Sequence, residues 1–503
     1  MEDGYYSRVA YPAEFQRQCT PVWLNLASLL NGYRPRPLDQ PFRWCDIGCG
    51  QGLTALGVAA LYPHAEIFGF DFNPSHIENA AKLASEAGLS NALFSDASFE
   101  SLANAPQGAW PKMDFIILHG VWSWVSAVQR QHILRFIASH LAPGGIVYNG
   151  YNALAGWGAM LPVQKLFRHV RATTPGAAGQ VIGAGQGAVR ELMEHQAAFF
   201  VDNPVIARRM AFLGKQDQNY LAHELLHEHW TPFSPDEVIA DFATSRCGFI
   251  GSATLLENLD IFSVPQALVP VLASIQDPAR KEIYRDLGAA RMFRRDLYRY
   301  GVQKLAQGEH QEMLDDITFT DLGLPDDGTM AIKTWGDEGL ALRADIYSPI
   351  RQGLRAGPLR LGDLRELFPD AAVLTEIAAV LTATGVAHPT PFPIPSAQQI
   401  SRAASFNQAV SSHNRATLLA APCLGTALMA DEAEQLLACA FANASAEDRL
   451  EDAAVRLTAS GRELLQSGQP VLEPEARLAG WRRVAAHFAA TRLPVLQRAG
   501  AVP

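Results

Sequence analysis

The sequence predicts an α/β fold in which a parallel sheet carries helices on both faces, followed by a mostly helical C-terminal region. Two observations lead to this prediction. Short apolar segments alternate with helical patterns over about the first 150 residues, and such alternation is typical of parallel sheets. A glycine-rich turn also joins the first apolar segment to the helical pattern that follows it, as in many ligand-binding α/β proteins.

The first elements follow from helix-end signals and apolar spacing. Thr20, Pro21 and Gly32 mark the N-cap, the first residue and the stop of a lead-in helix. Short apolar runs predict five strands, at Phe42–Ile47, Ala65–Phe70, Ala92–Phe94, Met113–Leu118 and Ile146–Tyr148. Helices are predicted between them, in a segment that stops at Pro63, at Ser75–Ala87 and at His132–Leu141.

The middle of the chain predicts a helical insertion and then a return to the sheet. Residues 165–225 show no strand pattern, and an amphipathic helix is expected around Leu192–Phe200. The later elements expected are a helix from Pro235 to Gly248, two strands at Phe249–Leu255 and Leu259–Val264, and a charged helix at Arg280–Tyr300. We expect the two strands to complete the sheet.

The C-terminal region predicts a separate, mostly helical unit. Its first helices are expected at Leu361–Phe368 and Val373–Thr384. The segment PTPFPIPSA that follows contains four prolines, which favour a stiff, extended linker.

Composition and charge exclude several classes of protein. Apolar residues make up 48% and charged residues 18% of the 503 residues, which excludes wholesale disorder. The net charge of −10 disfavours a general nucleic-acid binder. The six cysteines form no C-x-x-C pair, so we expect a reducing compartment. With no signal peptide or spanning segment visible, we expect a cytoplasmic protein without membrane insertion.

The motif WCDIGCGQG at residues 44–52 carries the strongest chemical signal. Its three glycines, Gly48, Gly50 and Gly52, permit a tight turn and a close approach of a ligand to the backbone. A dinucleotide fingerprint would require glycine at position 53, where Leu53 stands, and a phosphate loop would require a Gly-Lys-Ser/Thr ending. Asp46 precedes the glycines instead, and an acid there suits a ligand with a cationic amine.

Acidic residues follow three successive predicted strands. Asp46 ends the first strand, Asp71 follows the second, and Asp96 follows the third. The carboxyl edge of an open α/β sheet is where such folds bind ligands. Asp71 could accept hydrogen bonds from both ribose hydroxyls, and Asp96 could accept one from the exocyclic amine of adenine.

These motifs resemble, in order, those of the class I S-adenosylmethionine-dependent methyltransferases. The strand MDFIILHG and the segment LAPGGIVY extend the likeness over about the first third of the chain. The resemblance implies a Rossmann-like sheet and S-adenosyl-L-methionine as the cofactor, with a dinucleotide domain or a fold relative without cofactor as the alternative. It assigns to the cofactor the residues Asp46, Gly48, Gly50, Gly52, Asp71, Phe72, Asp96, Ala97 and His119.

Later motifs resemble the bacterial methyltransferases that carry a methyltransferase regulatory domain. The stretches are HGVWSWVS, YNGYNALAGW, NYLAHELL, FRRDLYRYG and LLAAPCLGTAL. That group includes rickettsial lysine methyltransferases that act on outer-membrane proteins. The resemblance implies a dimerisation element in the middle helices and a winged-helix-like C-terminal domain. This chain departs from the group at Ser126 and Ala155, where the group tends to have proline.

The resulting domain plan has five parts. It comprises a methyltransferase core at 1–165, a helical insertion and dimerisation element at 166–225, the end of the sheet at 226–268, a helical regulatory region at 269–335 and a winged-helix-like domain at 336–503.

The loops after the fourth and fifth strands supply the candidate acceptor site. A lysine acceptor must lose a proton before it can attack a methyl group, and His119 is the candidate proton acceptor. Trp122, Trp124 and Tyr151 could wall a pocket and hold a cation by cation–π contact, and Asn152 could orient the nucleophile. Alternatively, the two tryptophans fill the core, cover the adenine or lie at a contact between domains.

The segment HELLH at 223–227 also fits the H-E-x-x-H pattern of zinc proteases. Glu237 or Glu257 could be offered as a third ligand. Because the methyltransferase resemblance accounts for His223 and Glu224, we expect no metal site and interpret these residues as buried polar contacts.

The resemblance therefore implies a methyltransferase that uses S-adenosyl-L-methionine and modifies lysine in a surface or other bacterial protein. The alternatives are a small-molecule methyltransferase and a non-catalytic regulatory protein that keeps the cofactor pocket. The expected partners are a protein substrate and a second copy of the chain. Nucleic acid is not an expected partner, because acidic and basic residues balance over 351–376.

Overall fold

The computed structural model describes residues 14–216, 218–323, 331–333, 339–413, 417–443, 448–466 and 469–502. Its main feature is a sheet of seven strands in the order β3-β2-β1-β4-β5-β7-β6. The strands are β1 Arg43–Ile47, β2 Glu66–Phe70, β3 Ala92–Ser95, β4 Met113–His119, β5 Leu141–Asn152, β6 Cys247–Ser252 and β7 Phe293–Tyr300. The first five are parallel, and β7 runs antiparallel to β5 and β6. The predicted α/β class and its five parallel strands are confirmed.

Helices cover both faces of this sheet. The catalytic half contains α1 Pro21–Leu30, α2 Leu53–Leu61, α3 Pro74–Glu86, α4 Phe99–Ala103 and α5 Ala127–His140. Buried side chains of α1, α2 and α3 pack on one face of the sheet, and those of α4 and α5 pack on the other. The lead-in helix begins at Pro21 as predicted.

The insertion after β5 is helical, as predicted, and has its own small core. It contains α6 Leu154–Trp157, α7 Leu161–Thr173, α8 Ala178–Glu194, α9 Ala198–Asp202, α10 Val205–Leu213 and α11 Gln218–Leu225. The single helix expected around Leu192–Phe200 is wrong. Gln196 has a φ of 52°, a left-handed backbone that a continuing helix does not permit, so α8 ends before α9 begins.

The segment that returns to the sheet differs from the prediction at two elements. It contains α12 Pro235–Thr244, α13 Asp260–Ser263, α14 Val269–Ser274 and α15 Pro278–Ala289. The strand expected at Leu259–Val264 is wrong, because Phe262 enters the core from the short helix α13. The charged helix expected at Arg280–Tyr300 is also wrong. It ends at Ala290, whose φ is 46°, and Phe293–Tyr300 forms β7 in the centre of the antiparallel half of the sheet.

The C-terminal region is mostly helical, as predicted, with short strands. Its elements are α16 Gln307–Asp315, β8 Thr318–Asp321, β9 Ala331–Lys333, β10 Gly339–Ala341, α17 Ala344–Ala356, β11 Leu359–Arg360, α18 Ala371–Thr384, β12 Ala387–Pro389, α19 Ala397–His413, β13 Leu418–Ala421, β14 Thr426–Met429, α20 Glu432–Asn443, α21 Arg449–Ala459, β15 Leu465–Gln466, β16 Gln469–Pro470, α22 Pro474–Thr491 and α23 Leu493–Arg498. The helix expected at Leu361–Phe368 is reduced to a 3-10 turn at Leu361–Leu364. The winged-helix likeness stays a prediction.

Strand pairing crosses two of the predicted domain boundaries. The sheet continues to Tyr300, beyond the boundary at 268. Strand β8 pairs with both β11 and β12, across the boundary at 335. The domain plan as a whole stays a prediction.

The C-terminal region packs directly on the catalytic half. Phe406 and Val410 of α19 belong to the same buried cluster as α2. The Tyr62 hydroxyl at the end of α2 donates a hydrogen bond of 2.9 Å to the Gly425 carbonyl. Phe392 of the proline-rich segment packs edge-on against Tyr62, so the predicted extended segment lies on the core and does not hang free as a linker.

Candidate active site

The candidate site lies at the carboxyl edge of the parallel strands, where β1, β2, β4 and β5 end. Register places Ile47 of β1 beside Phe70 of β2, so the acids Asp46 and Asp71 lie at neighbouring strand ends. Both acids are buried. The fold therefore brings together the first two acids that the sequence singled out.

The glycine turn after β1 combines tight packing with one open position. A Cβ on Gly48 would lie 2.4 Å from Cγ2 of Val121, and one on Gly52 would lie 2.7 Å from Cε1 of Phe94. A Cβ on Gly50 would meet no atom of the described residues within 4 Å. All three glycines have positive φ, at 83°, 54° and 73° in chain order. Gly48 and Gly52 thus serve packing, and Gly50 faces open space.

The backbone amides of this turn already donate hydrogen bonds to acceptors within the protein. The Gly48 and Cys49 amides donate to the Phe70 carbonyl at 2.7 and 2.9 Å, and the Gly50 amide donates to Oδ2 of Asp71 at 2.9 Å. A turn that cradles phosphates needs free amides directed at the ligand. The bonding pattern therefore disfavours a pyrophosphate at this turn, in agreement with the sequence.

Asp71 connects the two loops that frame the site. Besides the Gly50 amide, it accepts a hydrogen bond of 2.9 Å from the Asn73 amide at Oδ1. Nδ1 of His76 lies 3.2 Å from the same oxygen. Because a carboxylate has about four acceptor positions, Asp71 could still accept from a ligand hydroxyl.

Asp46 carries a perturbed carboxyl group. Burial, and next the negative charge of Asp71, raise the pKa of Asp46 from its ordinary value of 3.8 to about 8. A carboxylate in such a place gains from a cation beside it. The geometry therefore suits a ligand that brings a positive amine to Asp46.

The other predicted cofactor residues lie around the same edge. Asp96 and Ala97 follow β3, with Asp96 exposed and Ala97 half-buried, and Phe72 is half-buried next to Asp71. The exposed position of Asp96 leaves its carboxylate accessible to a ligand.

His119 ends β4 and lies under two aromatic rings. Its Nδ1 lies 2.8 Å from the Tyr148 hydroxyl, and its ring centroid lies 5.7 Å from that of Phe293. Burial, and next the charge of Arg295, lower the pKa of His119 to about 3. The imidazole is therefore neutral at physiological pH, and so low a pKa argues against a general base at this position.

Two of the predicted pocket aromatics lie in the core. Trp122 and Tyr151 are fully buried. Trp122 packs against Phe242 with ring centroids 5.1 Å apart, and the Tyr151 hydroxyl donates to Oδ2 of Asp296 at 2.7 Å. Neither side chain offers a surface to a ligand, so their placement supports the packing interpretation over the pocket-wall one.

Trp124 and Asn152 keep features that a binding site requires. Trp124 is half-buried, and its ring packs 5.2 Å from that of His227. The Nδ2 of Asn152 is buried and has no hydrogen-bond partner in the part of the chain that the structure describes, although Asn152 itself is 5% exposed. An unsatisfied buried donor is costly, and a ligand oxygen would satisfy it.

Three hydrogen bonds that the sequence analysis missed connect the two acceptor loops, two of them between backbone atoms. Ser123 Oγ accepts from the Asn152 amide at 2.9 Å, the Ser123 carbonyl accepts from the Thr231 amide, and the Asn152 carbonyl accepts from the Phe233 amide. The segment TPF at 231–233 thus joins the loops after β4 and β5. No local pattern signals such pairing, because the Ser123–Asn152 bond joins residues 29 positions apart and the other two bonds span more than seventy positions.

The H-E-x-x-H segment shows no metal site in the part of the chain that can be described. It lies in and just after α11, where Glu224 and His227 are buried. The His223 side chain lies outside the described residues. Among those described, no group of three His, Cys, Asp or Glu side chains could hold a metal ion.

Two family models match the chain, one over the parallel strands and one over the segment that returns to the sheet. The model of a methyltransferase domain matches residues 45–147, and that of a predicted methyltransferase regulatory domain matches residues 217–299. An uncharacterized protein of Synechocystis sp. PCC 6803, sll1526, is 31% identical over 99% of both chains. The chain belongs to the S-adenosylmethionine-dependent methyltransferases that carry a regulatory domain.

Two rickettsial proteins are similar to this methyltransferase. The uncharacterized protein RP789 of Rickettsia prowazekii is 24% identical over 58% of this chain and 52% of its own length. The structure of PKMT2 from Rickettsia typhi in complex with AdoHcy has a TM-score of 0.73 at 18% identity. It covers 98% of this chain and 99% of the other. The likeness shows that the two chains share one fold over nearly their whole length.

The site of this methyltransferase fits its cofactor. S-adenosyl-L-methionine combines an ammonium, a ribose diol and an adenine, and it contains no phosphate. The raised pKa of Asp46, the open space at Gly50 and the occupied amides of the turn match that chemistry. When bound, the cofactor supplies an activated methyl group.

Proposed function

We propose that this methyltransferase modifies lysine side chains of a protein. The observation that carries the proposal is the fold shared with PKMT2 of Rickettsia typhi over nearly the whole of both chains. A small-molecule methyltransferase needs little more than the sheet and its helices. Here the C-terminal region packs on that sheet as part of one structure, which supports a macromolecular acceptor.

We assign the cofactor to the edge formed by Asp46, Gly50 and Asp71, with Gly48 and Gly52 shaping the turn. Asp46 would hold the ammonium, and Asp71 would hold the ribose. Phe72, Asp96, Ala97 and His119 would line the remaining edge, with Asp96 placed to accept from the adenine amine.

We assign the acceptor to the loops after β4 and β5. Trp124 is half-buried, so its ring could hold a lysine by cation–π contact, and Nδ2 of Asn152 could donate to a nearby carbonyl. A lysine that enters this edge leaves water, and desolvation lowers the pKa of its amine. That shift lets the amine lose its proton without a strong base, which suits the weakly basic His119.

The charge of the chain supports a basic target segment. With a net charge of −10, the protein attracts a lysine-bearing segment more than a nucleic-acid strand.

A cytoplasmic location and a homodimer stay predictions. The six free cysteines support a reducing compartment. None of the helices in the described ranges has the length and apolar character that crossing a bilayer requires.

The test is methyl transfer from labelled S-adenosyl-L-methionine to proteins of a whole-cell extract. We expect label in protein, mapped to lysine by mass spectrometry. The matched control is Asp71→Asn, which keeps the size of the side chain and removes its charge, and we expect it to lose the label. Label in small molecules alone would reject the lysine acceptor and favour the small-molecule alternative.

A further inference from the structure

Arg295 on β7 is a partly buried cation that has no carboxylate partner among the residues that the structure describes. In the described part of the chain no carboxylate oxygen lies within 4 Å of its nitrogen atoms. Its hydrogen bonds go to uncharged hydroxyls: Nη1 donates a long bond of 3.4 Å to Oγ1 of Thr254, and the guanidinium also bonds the Tyr148 hydroxyl. Its Nε is buried and has no partner among the described residues. Burying a charge is costly unless it is paired, so an anionic ligand beside Arg295 would stabilise this arrangement.

The neighbouring residue Arg294, also on β7, differs from Arg295 in its ion pairs. Arg294 points to the opposite face of the sheet and bonds Asp296, Asp286 and Glu282 at 2.6–2.9 Å. Arg294 is therefore neutralised within the protein, whereas the described ranges supply no counter-ion to Arg295.

Register places Arg295 at the candidate active site. It lies opposite Gly150 of β5, which in turn lies beside His119 of β4. The Arg295 guanidinium also lies over the Phe293 ring, 5.0 Å from its centroid, and Phe293 is the ring that packs against His119. Arg295 thus reaches the carboxyl edge from the segment matched by the regulatory-domain model.

Arg295 and Asp46 act on one common neighbour, Cys19. Burial, and next the negative charge of Asp46, raise the pKa of the Cys19 thiol, while Tyr148 and the positive charge of Arg295 oppose the increase. Two groups of opposite charge therefore both lie near Cys19. Such a pair is complementary to a zwitterion, with an ammonium at the acid and a carboxylate at the arginine.

The other groups of the site are poor alternatives for a carboxylate. The amides of Gly48, Cys49 and Gly50 already donate to protein acceptors. His119 is neutral and brings no positive charge.

We propose that Arg295 binds the carboxylate of the cofactor's amino-acid end, opposite an ammonium held by Asp46. A strand of the regulatory segment thereby completes the cofactor site. The inference rests on the family assignment and is independent of the proposed lysine acceptor.

The test compares S-adenosyl-L-methionine with its decarboxylated form, which keeps the ammonium, by titration calorimetry on the full chain. We expect Arg295→Met to weaken binding of S-adenosyl-L-methionine by about tenfold or more and binding of the decarboxylated form by less than about twofold. Arg295→Lys should recover part of the loss, because it restores the charge without the planar fork.

The matched control is Arg299→Met. Arg299 lies on the same strand and the same face at the far edge of the sheet, where its Nη1 donates to the Arg34 carbonyl. This variant should keep the wild-type ratio of the two affinities. If Arg295→Met also keeps the wild-type ratio of affinities, while its circular dichroism and Tm match wild type, the proposal is wrong. A misfolded Arg295→Met would leave Arg295→Lys to decide by the same ratio.

Discussion

At the residue scale, the raised pKa of Asp46 couples ligand binding to a proton. In the folded chain without ligand, the Asp46 carboxyl has a pKa of about 8, so it is largely protonated at pH 7. An ammonium ligand favours the ionised form and lowers the pKa, so the proton leaves on binding.

We therefore expect S-adenosyl-L-methionine to release up to about one proton at pH 7. Calorimetry in phosphate and in Tris should give different apparent enthalpies, because the buffers take up the proton with different heats. Asp46→Asn should remove the contribution of Asp46 to that difference. An unchanged difference in Asp46→Asn would show that another group releases the proton.

The same pKa has a consequence for stability, with a defined sign. The ordinary pKa of an aspartate is 3.8 and that of folded Asp46 is about 8. Between these values the folded chain holds a proton that the unfolded chain has lost, so the free energy of unfolding falls as pH rises. We expect the Tm of wild type without ligand to fall more steeply from pH 5 to pH 8 than that of Asp46→Asn. Parallel curves would contradict the burial of this carboxyl.

At the element scale, two glycines of the turn after β1 have different roles: Gly50 leaves space for the cofactor, and Gly52 allows tight packing. Gly50 faces open space, whereas Gly52 is packed against Phe94 and Ala80. Gly52→Ala should lower the free energy of unfolding by about 1–3 kcal/mol through overpacking and by about 1 kcal/mol more through backbone strain, because its φ is also positive. Gly50→Ala should cost only about 1 kcal/mol of backbone strain but weaken the cofactor by filling its space. Urea unfolding and calorimetry on both variants check this, and a larger loss of stability in Gly50→Ala would contradict it.

Strand β7 depends on the buried ion network around Arg294. Removing one partner of such a network leaves an uncompensated buried charge, so Arg294→Met should cost about 3–5 kcal/mol in urea unfolding. The control is the exposed pair Arg343–Asp345, whose Arg343→Met variant should leave the urea midpoint unchanged. A small effect at Arg294 would show that the network contributes little to stability.

The same strand marks the limit of prediction from this sequence. The five parallel strands were predictable because each is a short apolar run between turn signals. In β7, arginine and aspartate occupy core positions, and they resemble a solvated helix face until their partners on α15 are known. Likewise Asp46, Asp71 and the glycines were predictable from one local motif. Arg295 and Ser123 were not, because their positions depend on pairing between distant segments.

At the scale of the whole molecule, the C-terminal region forms part of the catalytic core. Phe406 of α19 is fully buried against the helix that follows the glycine turn. Phe406→Ala should cost about 3–5 kcal/mol and speed amide hydrogen exchange in Leu53–Leu61 as well as in α19. Leu472→Ala, at a side chain that is 83% exposed, serves as the control. Faster exchange confined to α19 would show that the two regions unfold separately.

The pairing of β5 with β7 also constrains how the protein is made. About 140 residues of chain separate Asn152 from its partner Phe293, and at roughly 5–20 residues per second their synthesis takes on the order of 7–28 seconds. During that interval the growing chain holds β5 as an open edge, a template for pairing with other chains. We therefore expect synonymous changes that slow translation between the two strands to lengthen this exposure and to raise aggregation.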